Sequence, residues 1–303
     1  MKKYLVVRPK YGLCNQLYSI SKGIIFGLIC NRDVIFSNFQ MDYRDENNLC
    51  NFEDVIDIEF LQKIILKYSK SIKIIVNNDI KDIPKIKTNK SEKISDIKNF
   101  ITILFLEDNI NQEYLDIDNP ISAEIPFHLK ELELFINISI KFTNKYIDLA
   151  NNVKKCLNLN DYSCIHLRLE NDSINHMTDM NNKLNFDDIN EIYKNKYLSE
   201  IERLYSPDKK IFICTSLGID DNINNNFYKT IKTKYNLIDK NNLIDIKNNT
   251  YREMFAIIDY IIAKDSVEFV GSDWSSFSLY INGYHIYNKK KTTLINIWKT
   301  IQN

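Results

Sequence analysis

From about residue 160 to the end of the chain, short apolar runs alternate with helical periodicities, an order that few architectures accept. Cys164, Ile165 and Leu167 make a short buried-strand run, and 186–205 has helical spacing at Ile189, Ile192, Tyr193, Tyr197, Ile201 and Leu204. A strand is predicted over 210–215, a helix over 222–235, a strand over 243–246, a helix over 251–263 and a strand over 267–270 that stops at Gly271. Strands separated by helices at this interval predict a parallel, doubly wound α/β sheet. Two more helices are predicted, over 274–281 and 292–301.

The amino-terminal half begins in the same way. A strand over 3–8, a loop with Gly12, a helix over 15–30 and a strand over 33–36 form a β-loop-α-β unit, the start of a Rossmann-like half. The polar, acidic segment 37–54, with Asp42, Asp45 and Glu46, is long enough for a functional loop. A helix over 58–68, strands over 72–76 and 100–106, an irregular stretch over 107–126 and helices over 131–140 and 143–157 complete the half. Thr143 is the expected N-cap of the last helix. The expectation is two α/β domains, 1–150 and 151–303.

Forty basic and forty acidic side chains cancel, so no basic field calls for nucleic acid. The six cysteines, at 14, 30, 50, 156, 164 and 214, have neither metal-ligand nor redox spacing and read as reduced thiols. No apolar run looks long enough to span a membrane, and no basic n-region leads a long apolar segment. A cytoplasmic chain without a membrane span, metal or cofactor is expected.

Four places could carry chemistry. His166, Arg168, Glu170 and Asp172 fall at every second position, which on a strand puts them on one side. The carboxyl end of a parallel strand is where open α/β sheets bind ligands, and an arginine and a histidine there suit a phosphate. The loop with Gly12, Asn15 and Gln16 precedes a helix amino terminus, whose N–H groups can face an anion. Asp259 lies on the helix over 251–263. Gly271-Ser-Asp-Trp-Ser-Ser-Phe-Ser278 leaves a strand and enters a helix with serines near its start, a possible phosphate cradle. A solvated charge cluster, a turn glycine, a surface aspartate and a serine-capped helix are the ordinary alternatives. All four on one chain of two α/β halves suggest a nucleotide diphosphate site in the second half and an acceptor site in the first.

These residues carry a resemblance to the GDP-fucose-dependent protein O-fucosyltransferase superfamily, including its plant branch. Tyr11-Gly-Leu-Cys-Asn-Gln-Leu17 is similar to its first-loop signature, and 142–168 resembles the passage before its His-x-Arg motif. His-Leu-Arg-Leu-Glu-Asn-Asp at 166–172 is close to the plant-branch form of that motif. Ile257-Ile-Asp-Tyr-Ile-Ile followed by Phe269-Val-Gly-Ser-Asp-Trp-Ser-Ser-Phe277 resembles its Asp-bearing helix, Phe-x-Gly strand and Ser-Ser-Phe turn. Cys14 departs from a frequent glycine, and Asp273 and Trp274 lengthen the last loop.

The resemblance implies a metal-independent, inverting glycosyltransferase of the GT-B type, two Rossmann-like domains facing each other, with GDP-fucose as donor substrate and a protein or glycan hydroxyl as acceptor. It implies that His166 and Arg168 contact the diphosphate and that Asp259 reads the guanine edge. Ser275, Ser276 and Phe277 would hold phosphate and nucleoside, and Gly12 and Asn15 would lie over the sugar and pyrophosphate. Arg168 would stabilise the leaving group. Glu170 is the favoured catalytic base by position, with Asp172, Asp42, Asp45 and Glu46 as competitors or no enzymic base at all. A glycan α-1,2- or α-1,6-fucosyltransferase, a transferase for another nucleotide sugar and an inactive nucleotide-sugar-binding module are the rival readings.

Overall fold

The computed structural model describes residues 2–42, 44–45, 47–69, 72–76, 113–118, 120–122, 125–181, 183–217, 222–241, 243 and 252–302. The chain forms two compact units, Met1–Tyr146 with Tyr251–Met254 and Ile147–Thr250 with Phe255–Asn303.

The first unit runs β1 (Tyr4–Arg8), α1 (Leu13–Cys30), β2 (Asp33–Phe36), β3 (Phe39–Gln40), β4 (Leu49–Cys50), α2 (Phe52–Val55), α3 (Ile58–Ile65), β5 (Ile74–Val76), β6 (Tyr114–Asp118) and α4 (Lys130–Ser139). Its sheet has the order β5-β2-β1-β6, with every pair parallel. Leu5, Val6, Val7, Val34 and Phe36 are fully buried, as a strand covered on both faces requires. Gly23 and Gly27, one turn apart, let α1 lie close on this sheet. A Cβ would come within 2.7 Å of Val7 at Gly23 and 2.3 Å of Val34 at Gly27. Among the described helices α1 alone is long and apolar enough to cross a membrane, contrary to the expectation that no segment is. Within this unit it is the core helix, 67% buried.

Then α5 (Asn144–Cys156) leads into the second unit, with β7 (Tyr162–His166), α6 (Asn171–Met180), α7 (Phe186–Leu204), β8 (Lys210–Cys214) and α8 (Asn225–Lys234). They are followed by α9 (Arg252–Asp265), β9 (Glu268–Ser272), α10 (Ser276–Tyr287), β10 (Lys291–Ile295) and α11 (Ile297–Gln302). The sheet is again parallel, in the order β10-β9-β7-β8. Its core joins Ile165, Leu167, Tyr193, Tyr197, Ile213 and Val270.

Five elements differ from the sequence expectation. β6 falls in the stretch read as irregular; its alternation of Leu115 and Ile117 with aspartates buries one face beside β1. β10 replaces the first half of the helix expected over 292–301. Leu294, Ile297 and Ile301 mimic a helical period, but Thr292 and Thr293 favour a strand, which pairs with β9. α6 fills a stretch read as a polar loop, because Ser173, Ile174 and Met177 alone face inward. The segment 37–54 contains the β3–β4 hairpin, with Phe39 and Met41 buried. The Thr143 hydroxyl donates to the Asp54 carbonyl rather than capping α5. The strand expected over 100–106 lies outside the described residues, as does most of that expected over 243–246. Ile238 instead bridges in parallel to Phe212.

Candidate active site

β7 ends at His166, so strand alternation does not carry Arg168, Glu170 and Asp172 to one side. A short loop and the first turn of α6 bring them together instead. Arg168 donates from Nη1 to Glu170 Oε2 at 3.1 Å and from Nη2 to Asp172 Oδ2 at 2.7 Å. The loop backbone is satisfied almost residue by residue. Leu167 N–H donates to Cys214 O, and its carbonyl accepts the Thr215 hydroxyl at 3.0 Å. Arg168 N–H donates to the Tyr197 hydroxyl, and Leu169 O accepts the buried amide of Asn224 at 2.7 Å. Such a loop has little freedom, so the guanidinium is held before any ligand arrives.

Glu170 is buried and fully engaged. Its Oε1 accepts the N–H of Ser216 at 3.1 Å and its hydroxyl at 2.9 Å, while Oε2 holds Arg168. Burial alone would push this carboxyl up, but the Arg168 guanidinium, with the Ser216 N–H, holds it below its ordinary value. A carboxylate so stabilised is a poor proton acceptor; its geometry is that of a clamp on Arg168.

The His166 imidazole packs against Phe277 with ring centroids 4.5 Å apart, and its Nδ1 lies 2.8 Å from Ser278 Oγ. Burial pushes its pKa down to about 3, so the ring is neutral. Gly271 makes this approach possible: a Cβ there would fall 2.4 Å from Ser278 Oγ. Ser275 is the N-cap of α10 and Ser276 its first residue, and the Ser275 side chain makes no capping hydrogen bond. The amino end of α10 therefore keeps N–H groups for a ligand beside His166.

Asp259 is not a solvated helix residue. Its Oδ2 accepts Lys240 Nζ at 2.6 Å, and both side chains are buried, to 7% and 1% exposure. Among the described residues its Oδ1 makes no hydrogen bond, although the Thr215 N–H lies near enough to help hold the carboxyl down. Burial pushes the carboxyl up to about 6 against the pull of Lys240. A buried, unfilled acceptor of this kind suits a ligand N–H.

In the first unit, Gly12 is the N-cap of α1, and no described residue comes within 4 Å of a Cβ built there. The loop is fixed from behind. Gln16, wholly buried, donates to the carbonyls of Tyr11 and Gln40, each at 2.8 Å, and accepts Gln40 N–H at 2.9 Å. Gln40 accepts Tyr11 N–H at 2.8 Å, and Tyr11 sits at φ 73°, in the left-handed region. Asn15 is half-buried, and its side chain makes no hydrogen bond to a described residue. The anion expected at this helix end is supplied by the protein: Glu253 Oε2 accepts Leu13 N–H at 2.7 Å. Asp42 is held by Arg44 at 2.7 Å, Asp45 accepts the Asn47 N–H, and Glu46 lies outside the described residues. Among the described residues no three His, Cys, Asp or Glu converge as metal ligands.

The chain matches the GDP-fucose protein O-fucosyltransferase family over residues 4–288. It belongs to that family. As an O-fucosyltransferase family member it is a glycosyltransferase of GT-B type fold, with the parallel sheets described above. Solved structures agree on the fold. The α-1,6-fucosyltransferase NodZ soaked with GDP-fucose has a TM-score of 0.60 at 11% identity, over 94% of this chain and 93% of that one. NodZ from Bradyrhizobium gives 0.61 at 11%, covering 93% and 92%. POFUT1 in complex with GDP gives 0.63 at 14%, covering 97% and 99%. No curated protein matched by sequence.

Within the family frame, the structure brings His166, Phe277 and Ser278 into one contact set and Arg168, Glu170, Asp172 and Ser216 into another. Gly12 and Asn15 belong to the other unit. Lys240, Ser216, Asn224, Tyr197 and Gln40 were not legible as site residues. Each acts through a partner 19 to 55 residues away, and no periodicity encodes such pairs. Ser278 reads in the sequence as the last serine of a phosphate cradle, and its hydroxyl instead meets His166 Nδ1 and the Ser272 N–H.

Proposed function

We propose that this chain transfers fucose from GDP-fucose to a hydroxyl of a protein or glycan, with inversion and without a metal. The observation that carries the reading is Arg168, fixed at the carboxyl end of β7 by the buried Glu170 and by Asp172. Breaking the sugar–phosphate bond releases an anionic diphosphate beside a cationic sugar. A guanidinium held in place by the fold supplies the positive charge such a leaving group needs. His166 and the amino end of α10 add N–H donors, and Asp259 Oδ1 offers an acceptor for the N1–H or N2–H of guanine.

With Glu170 engaged as a clamp, the acceptor hydroxyl loses its proton late, to the departing phosphate or to solvent, rather than to a strong enzymic base. GDP-fucose and its acceptor are then the partners, and the donor is the substrate rather than a cofactor. A cytoplasmic setting is part of the proposal, since it would keep the six free thiols reduced.

A turnover assay tests this reading. GDP-fucose, GDP-mannose and UDP-sugars are each incubated with protein and glycan acceptors, with and without EDTA. The expected result is GDP release from GDP-fucose that EDTA leaves unchanged. Binding of GDP without turnover on any acceptor would favour an inactive binding module, and a strict Mn²⁺ requirement would overturn the metal-independent mechanism.

A further inference from the structure

Ser278 Oγ lies 2.8 Å from His166 Nδ1 and accepts the N–H of Ser272 at 3.0 Å. Ser278 is completely buried and His166 nearly so. A hydroxyl carries one proton and two lone pairs. The Ser272 N–H takes one lone pair. Among the described residues, Nδ1 is the sole acceptor within reach of the proton. A buried hydroxyl proton without an acceptor is costly, so Ser278 donates to Nδ1 and the imidazole proton resides on Nε2.

We propose that Ser278 is a positioning residue that fixes His166 as the neutral Nε2–H tautomer, so that the ring presents an N–H donor to an anionic oxygen of the bound ligand. Nε2 has no acceptor among the described residues, which leaves this donor for a ligand. Phe277 holds the ring plane from one side, and Gly271 permits the close approach of Ser278. The charged groups that act on the imidazole are Glu170 and Arg168 after β7 and Lys240 after α8, and Cys214 on β8 is its register partner. Identifying the anionic oxygen as that of a nucleoside diphosphate rests on the function proposed above; the tautomer does not. The division of labour is then specific: Arg168 brings charge, and His166 brings a directed neutral donor that acid or base leaves unchanged across the working range.

Imidazole nitrogen NMR on the full chain labelled with ¹⁵N-histidine tests this. The chain has four histidines, and His166→Gln identifies the His166 signals by their loss. The expected spectrum is a neutral ring protonated on Nε2 from about pH 5 to 8. In Ser278→Ala the His166 pattern should move to a mixture of tautomers, with the Kd for GDP rising roughly three- to tenfold, the share of one neutral hydrogen bond. An Nδ1–H tautomer in the unsubstituted protein would overturn the proposal, as would an unaltered Nε2–H pattern in folded Ser278→Ala. Should that variant not fold, the spectrum of the unsubstituted protein decides alone. A correct tautomer whose signals ignore added GDP would contradict the diphosphate reading and leave the role of Ser278 standing.

Discussion

Lys240 Nζ lies 2.6 Å from Asp259 Oδ2 with both groups buried, while the second oxygen of the same carboxylate makes no hydrogen bond to a described residue. One oxygen is tied to a fixed positive charge and the other is kept for a donor. Burial raises the Asp259 pKa to about 6, and Lys240 opposes that rise. As pH falls through about 6 the carboxyl gains a proton and ceases to accept from guanine on both oxygens. GDP affinity should therefore fall toward acid with a midpoint near 6, and Asp259→Asn should flatten that profile. Lys240→Met removes the opposing pull and should move the midpoint upward. Calorimetry at a series of pH values, with UDP as control, checks all three; an unmoved midpoint in Lys240→Met would count against the pairing.

Glu170 makes a prediction of opposite sign. Its folded pKa is depressed, so its contribution to stability is present above its unfolded value near 4.5 and is lost as pH falls through the lower folded value. Glu170→Gln should remove this acid-side loss and loosen Arg168, lowering kcat/KM by about tenfold without abolishing a pH limb. A general base would cost about 10²–10⁴ and take the limb with it. A pH–rate profile separates the two.

The loop before α1 predicts stability effects. Gln16→Ala strips partners from the Tyr11 carbonyl and both backbone groups of Gln40, which should cost about 3 kcal/mol and lower Tm by roughly 6–12 °C. Tyr11→Gly should be neutral or stabilising by about 1 kcal/mol, because glycine accepts a φ of 73° without strain. Thermal unfolding measures both.

The architecture and the substitutions it tolerates were legible to different depths. Hydrophobic periodicity reports which face a backbone buries, so β1, α1, β7, α7 and β9 could be read directly. It fails where few inward residues carry an element, as in α6, or where two periods coincide, as at Leu294–Ile301. The loop 166–172 could be read because its chemistry is contiguous. Its supports could not: Ser216, Asn224 and Tyr197 meet it only through tertiary contact, and each is an ordinary polar or aromatic residue in its own segment.

Gly271→Ala follows from the contact with Ser278. The added methyl would meet Ser278 Oγ at 2.4 Å and Phe269 at 2.9 Å, so the variant should lose about 1–3 kcal/mol or more and displace the His166 partner. Adding Ser278→Gly should recover part of the stability but not the His166 hydrogen bond, giving a non-additive double-mutant cycle in Tm. Additivity would mean the two residues do not press on each other.

The most direct measurement is a calorimetric titration of GDP into the unsubstituted protein and into Arg168→Ala. If the loop after β7 holds the diphosphate and Asp259 reads the base, the unsubstituted protein binds GDP at least about tenfold more tightly than UDP. Arg168→Ala should weaken GDP by about tenfold or more, since a charge-assisted pair is worth about 1.5–3 kcal/mol, with Tm little changed. No heat of GDP binding to the unsubstituted protein, or equal GDP affinity in a folded Arg168→Ala, would contradict the account.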